Sequence, residues 1–301
     1  MIGKVVSVLA AAVLAGCSLY ERSRDDATKV LMIGNSFSIS VMSHLPAVAK
    51  ECGLKIDIAS AYIGGCSLKR HMENVAKDGQ KDFRPYKITR FSDGRTTNSR
   101  MNVTDALRLE KWDIVTVQQA SGYSWREQSY HPHGDRLVAK IRELSPTAEI
   151  WVQETWSYTP WDARLKAWGI DQNEMYRKLH AAYASFARKH SLKVIPMGTA
   201  IQSWRRELPV VYTENSLGGD VVGGGKLDER DHFRRKPDNT WKIYCDTFHL
   251  GRKGEYFQAL VWAKTLFNAD LSKIRSFPEG ISHSEGELMK KIASETIFSA
   301  E

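Results

Sequence analysis

Five short apolar, β-rich runs recur along the chain with helix-like stretches between them. That alternation permits few folds, because strands that are apolar throughout need cover on both faces and the intervening helices supply it. The runs are Lys29 to Ile33, Lys55 to Tyr62, Asp113 to Val117, Glu149 to Gln153 and Lys193 to Pro196. Helical periodicity follows in Leu137, Ile141 and Leu144, in Met175, Leu179, Ala182 and Phe186, and in Gly251 to Phe267, where Tyr256, Leu260 and Ala263 share a face. The expectation is an α/β domain on a parallel five-stranded sheet. At 301 residues, 42% hydrophobic and 26% charged, the chain can build one such domain.

Two segments interrupt the pattern. Phe83 to Val103 contains Asp93-Gly94, which favours a tight hairpin between short strands. Thr213 to Asn239 is rich in glycine and charge and reads as a long excursion.

In an open parallel sheet, ligands bind beyond the carboxyl ends of the strands. The residues there are Asn35-Ser36, Gly64-Gly65, Gln118-Gln119 with Ser121, and Glu154-Thr155-Trp156. Ser36, in "MIGNSFS", stands where the first strand ends; its alternative role is a helix cap, since an amphipathic run, Val41 to Cys52, follows. Near the other end of the chain, "YCDTFHLGRKG" places Asp246 three residues before His249. The alternative for Asp246 is a cap of the last helix or a surface carboxylate, and for Gly64-Gly65 a plain turn.

Taken together, these blocks resemble the SGNH (GDSL-like) hydrolases, esterases built on a flavodoxin-like three-layer sandwich. The match covers about Lys29 to Phe267, and its wording, "GNSFS" with a terminal "DTFHL", is nearest a bacterial lipoprotein branch of that family. The resemblance implies a catalytic set of Ser36, Asp246 and His249. It also implies an oxyanion hole from the backbone N–H groups of Ser36 and Gly65 plus the Gln118 amide. "VQQASGYS" replaces the family's usual Gly-x-Asn-Asp setting, so Gln119 or Ser121 are rivals for the amide role. Asn35, Gln119, Ser121 and Trp156 are substrate-binding candidates. The implied reaction is deacylation of an ester, with an acetylated glycan favoured; nine tryptophans, including Trp125, Trp151, Trp156, Trp161 and Trp204, permit stacking on sugar rings. The alternative is a glycan-binding surface lipoprotein without catalysis.

The N-terminus reads separately. Lys4 precedes the apolar run Val5 to Ala15, too short to span a bilayer, and Leu14-Ala15-Gly16-Cys17 resembles a bacterial lipoprotein signal. The expected organisation is a signal peptide over 1–16, a lipidated Cys17 with a polar tether to residue 28, the hydrolase-like domain over 29–270, and a C-terminal extension over 271–301. The expected location is an exported lipoprotein anchored to a membrane. Export permits disulfides, and Cys66 with Cys245, each beside a proposed site element, form a candidate bridge.

The net charge of +8 and pI near 9.2 come from scattered cations without a recognition motif, so no nucleic-acid partner is expected. A preference for acidic polysaccharide or anionic lipid is compatible with that charge. His131-Pro132-His133 lacks a third ligand at metal-site spacing, so no metal or organic cofactor is expected; hydrolysis by a metal held there is the remaining alternative. The sequence does not specify an oligomeric state.

Overall fold

The fold is described from a computed structural model, over residues 27–209, 211–213, 216–218, 220–222, 233–235, 241–243 and 246–299. Its centre is a seven-stranded sheet with strand order β4-β3-β2-β1-β5-β6-β7. The strands are β1 (Thr28–Gly34), β2 (Ile56–Tyr62), β3 (Tyr86–Ser92), β4 (Arg95–Met101), β5 (Ile114–Val117), β6 (Glu149–Gln153) and β7 (Lys193–Ile195). The five strands expected from sequence are β2, β1, β5, β6 and β7, all parallel to their neighbours in that set.

The two further strands correct the expectation. β3 and β4 form the hairpin around Asp93-Gly94, but it does not stand apart: β3 pairs antiparallel with β2 and β4 with β3, extending the sheet at one edge. Asp93 and Gly94 both take the left-handed conformation, φ 51° and 75°, as a two-residue hairpin turn requires. The strands differ because their surroundings do. β1 is buried from Val30 to Gly34 and is apolar without alternation, whereas β3 buries Tyr86 and Ile88 and exposes Lys87 between them. β4, an edge strand, is polar and exposed over nearly its whole length, which discourages pairing with another chain.

Two groups of helices flank the sheet. Helices over Leu68–Val75, Val103–Arg108 and His133–Leu144 pack on one another, and those over Leu45–Glu51, Met197–Glu207, Arg252–Phe267 and His283–Glu295 form the second group. Helix 252–267 carries more than the single apolar face read from its periodicity: every residue from Gly254 to Ala263 is buried. Helix 283–295 is the reason, because it covers the side that would otherwise face solvent. That outer helix starts at a capping box, Ser282 with Glu285, and buries Met289, Ile292 and Ala293.

No helix among the described residues is long and apolar enough to cross a membrane. The signal-like segment, Cys17 and Cys245 lie outside the described residues, as does much of 213–239. Cys66 is buried at 0% exposure, and burial pushes its thiol pKa up to about 12; the candidate bridge to Cys245 lies outside the described residues.

Candidate active site

Ser36 follows β1 directly, and the local sequence explains its position. The cap of the short helix Ser36–Ile39 is Asn35, whose Oδ1 accepts the Phe37 N–H at 3.0 Å. Ser36 is therefore the first helical residue, and its hydroxyl is left for other work. Gly34 permits this turn by its lack of bulk rather than by an unusual φ: a Cβ there would lie 2.3 Å from Ser38 Oγ and 3.4 Å from Gln118 Cδ. Gly34→Ala should displace the Ser36 turn, lowering stability by about 1–3 kcal/mol, the usual cost of overpacking. Thermal melting checks this; a variant with native melting would contradict it.

The carbonyl of Phe37 accepts from two buried amides, Gln153 Nε2 at 2.7 Å and Gln258 Nε2 at 2.8 Å. Ser40 Oγ donates to Gln258 Oε1 at 2.7 Å. The helix carrying Ser36 is thus tied to the end of β6 and to the buried helix 252–267. Sequence reading missed both glutamines, because one looked like strand and the other like helix.

Asp246, Ser36 and His249 come together. Ser36 Oγ is 2.9 Å from His249 Nε2, and His249 Nδ1 is 2.7 Å from Asp246 Oδ2. Asp246 Oδ1 accepts the backbone N–H groups of Phe248 and His249, at 2.9 and 2.8 Å. Asp246 does not cap helix 252–267, the helix that follows it; Gly251 occupies that position. Burial raises the Asp246 pKa, but the His249 hydrogen bond and charge, with the two backbone N–H groups, outweigh it and bring the pKa below the ordinary value. The carboxylate thus stays charged although its side chain is only 3% exposed.

The loop bearing His249 is clamped by the segment after β6. Trp156 Nε1 donates to the Phe248 carbonyl at 2.8 Å, and the Thr159 N–H donates to the Thr247 carbonyl at 2.9 Å. Thr247 Oγ1 donates to Asp162. Trp156 also stacks on Phe37, with ring centroids 4.2 Å apart, so the serine turn and the histidine loop share one aromatic contact. Trp156 is 1% exposed and holds the loop; it presents no face to a sugar, contrary to its candidacy as a substrate platform. Trp204 is equally buried.

The amide assignments also change. Gln118 is 1% exposed, and its Nε2 donates to Asn35 Oδ1 at 2.5 Å, so it braces the cap of the serine helix instead of facing the cleft. Asn35 in turn donates from Nδ2 to the Cys66 carbonyl at 3.0 Å and is itself 1% exposed, which removes it from direct substrate contact. Gln119 is saturated: Oε1 accepts from Leu68 and Ala120, and Nε2 donates to Ser129. Ser121, mostly buried, shares a 2.9 Å hydrogen bond with the Tyr158 hydroxyl. These amides were legible as a polar rim but not as an internal brace, since one-dimensional spacing does not tell which side of a loop faces inward.

Gly65 has φ 59°, which glycine adopts freely, in a turn closed by Cys66 N–H to the Ile63 carbonyl at 3.2 Å. Among the described residues, neither the Gly65 N–H nor that of Ser36 has a protein acceptor.

Ser36, Asp246 and His249 open on a cleft of about 520 Å³. One wall is Ile39, Met42 and Pro46; the other is the β3–β4 hairpin, through Lys87, Thr89, Phe91 and Asn98. His131 is engaged elsewhere, its Nδ1 2.9 Å from Asp135. Among the described residues no group of three or more His, Cys, Asp or Glu side chains is placed to hold a metal ion.

The architecture is an α/β sheet sandwich with a Ser-His-Asp relay at the carboxyl ends of its strands. The chain belongs to the DUF4886 family, described as a domain of unknown function, whose model matches residues 29–217. It is similar to a crystal structure of a DUF4886 family protein from Bacteroides uniformis, with 30% identity and a TM-score of 0.73 over 89% of this chain and 94% of that one. More distant similarity is to a protein from Slackia heliotrinireducens proposed to be an SGNH hydrolase (18% identity, TM-score 0.48, 80% of this chain and 100% of that one). A family 3 carbohydrate esterase from Clostridium thermocellum is also similar (12% identity, TM-score 0.43, 81% of this chain and 96% of that one). No curated protein sequence matches the chain significantly.

Proposed function

We infer that this protein is a serine esterase that removes acetyl or other short acyl groups from a carbohydrate. The observation that carries the reading is the continuous relay, Ser36 Oγ to His249 Nε2 at 2.9 Å and His249 Nδ1 to Asp246 at 2.7 Å, opening on a cleft. In this mechanism His249 Nε2 takes the Ser36 proton as Oγ attacks the ester carbonyl, and the tetrahedral adduct collapses when His249 returns that proton to the departing alcohol. Water then repeats the sequence on the acyl-serine, releasing the acid. The Ser36 and Gly65 N–H groups are the donors available for the developing oxyanion, with Gln118 acting indirectly by holding Asn35.

The N-terminal sequence supports export and attachment through a lipidated Cys17, which would bring the esterase to extracytoplasmic glycans. The brace role of Gln118 favours the second reading, a glycan-binding lipoprotein, because it leaves the oxyanion site one side-chain donor short. A fluorophosphonate separates the two: the esterase reading expects one adduct on the tryptic peptide bearing Ser36, insensitive to chelator. An unmodified Ser36 after prolonged treatment would favour the binding protein.

A further inference from the structure

The hairpin that extends the sheet also lines the cleft, and its charge is uneven. Register places Lys87 directly opposite Arg100 on β4 and beside Tyr62 on β2. The next row is Ser60, Thr89 and Asn98, with Thr89 Oγ1 donating to Asn98 Oδ1 at 3.0 Å. Side chains alternate along a strand, so Lys87, Thr89 and Phe91 share the face that lines the cleft, with Asn98 and Arg100 on the same face of β4.

Two like charges directly opposed across a strand pair repel. On the other face of the hairpin, Arg90 is neutralised by Asp57 and Glu110. Lys87 and Arg100 are both exposed and have no acidic partner among the described residues. Arg70 Nη1 donates to the Gly64 carbonyl, just past the end of β2, at 3.3 Å. Facing carboxylates in the cleft are Asp246, engaged with His249, and Glu255, buried on the helix opposite the hairpin.

We propose that the β3–β4 face, through Lys87 and Arg100, selects an acidic saccharide, a carboxylate-bearing sugar, as the alcohol portion of the substrate. The proposal rests on the esterase reading of Ser36 and gives that site its specificity. An anion between Lys87 and Arg100 relieves their repulsion. The hydroxyl of Thr89 and the free amide hydrogens of Asn98 match sugar hydroxyls in the adjacent row. An anionic lipid headgroup would answer the charge but not this polar row, and it becomes an outcome of the test.

The test uses the Ser36→Ala protein, which would hold the ester intact, and calorimetric binding of O-acetylated oligogalacturonate against neutral O-acetylated xylo-oligosaccharide. The expected result is tighter binding of the acidic probe, weakened by salt, and weakened about tenfold by Lys87→Gln or Arg100→Gln, the loss of one hydrogen bond to a charged group. Lys140→Gln, on the distant helix 133–144, serves as the control and changes nothing. Equal binding of the two probes, or indifference to both substitutions, overturns the proposal. Lys87-dependent capture by phosphatidylglycerol vesicles without oligogalacturonate binding also overturns it, in favour of a lipid headgroup. Acidic-probe binding with no acetate released by the unmutated protein supports this specificity while refuting the esterase reading.

Discussion

Ser36→Ala is expected to abolish hydrolysis of an acetyl ester, lowering kcat by about 10⁴- to 10⁶-fold, as loss of the nucleophile does when a serine and histidine act as one unit. The structure argues that this loss is chemical. Ser36 is half-buried, caps nothing, and its hydroxyl meets His249, so alanine removes one hydroxyl and leaves the Asn35 cap, the Phe37 carbonyl bonds and the Trp156 stack in place. Thermal stability should therefore change by only about 0.5 kcal/mol. Stopped-time acetate release with a chromogenic acetyl ester, beside a melting curve, tests both parts. Undiminished turnover in a folded Ser36→Ala protein would refute serine catalysis.

Asp246→Asn should lower kcat by about 10⁴-fold, through tautomer rather than position. The carboxylate oxygen facing Nδ1 accepts the His249 ring proton, which leaves Nε2 unprotonated and able to take the Ser36 proton. Asparagine can still satisfy the Phe248 and His249 N–H groups with its single carbonyl oxygen, but its NH₂ then faces Nδ1. The ring responds by carrying its proton on Nε2, where it blocks the base. Stability separates from activity here as well. The pKa of Asp246 is below the ordinary 3.8 in the folded protein, so its pairing stabilises the fold above about pH 4 and that contribution fades as pH falls below it. The variant should therefore show a shallower loss of stability on acidification, read from melting temperatures across that range, than the native protein does. A variant with near-native turnover would show that Asp246 does not orient the base.

The part of the site nearest in sequence to regular structure was legible in advance. Ser36 ends an apolar run at a glycine, and Asp246 and His249 lie three apart before a helix, so each could be placed on the rim from local pattern alone. The resemblance to the SGNH hydrolases named the same three residues. The polar rim was less legible: Asn35, Gln118 and Gln119 were correctly placed after their strands, yet their amides turn inward to hold the serine turn and its neighbours. Trp156 went the same way, from expected platform to loop clamp. Gln153, Thr159, Asp162 and Gln258 carried no signal, because their partners lie between 85 and 221 residues away in the chain.

By itself the sequence determined the five parallel strands and the helices between them, since apolar runs, glycine turns and helical periodicity are local properties of the chain. It also determined which groups stand at the strand ends, a hydroxyl, an imidazole and a carboxylate, because residue type is local. Only the tertiary structure decided that the Asp93-Gly94 hairpin joins the sheet beside β2 and walls the cleft, that helix 252–267 is buried on all sides from Gly254 to Ala263, and that the rim amides face inward. Each of those depends on what a surface packs against, and a hydrogen-bond donor or an apolar face has no direction until its neighbour arrives.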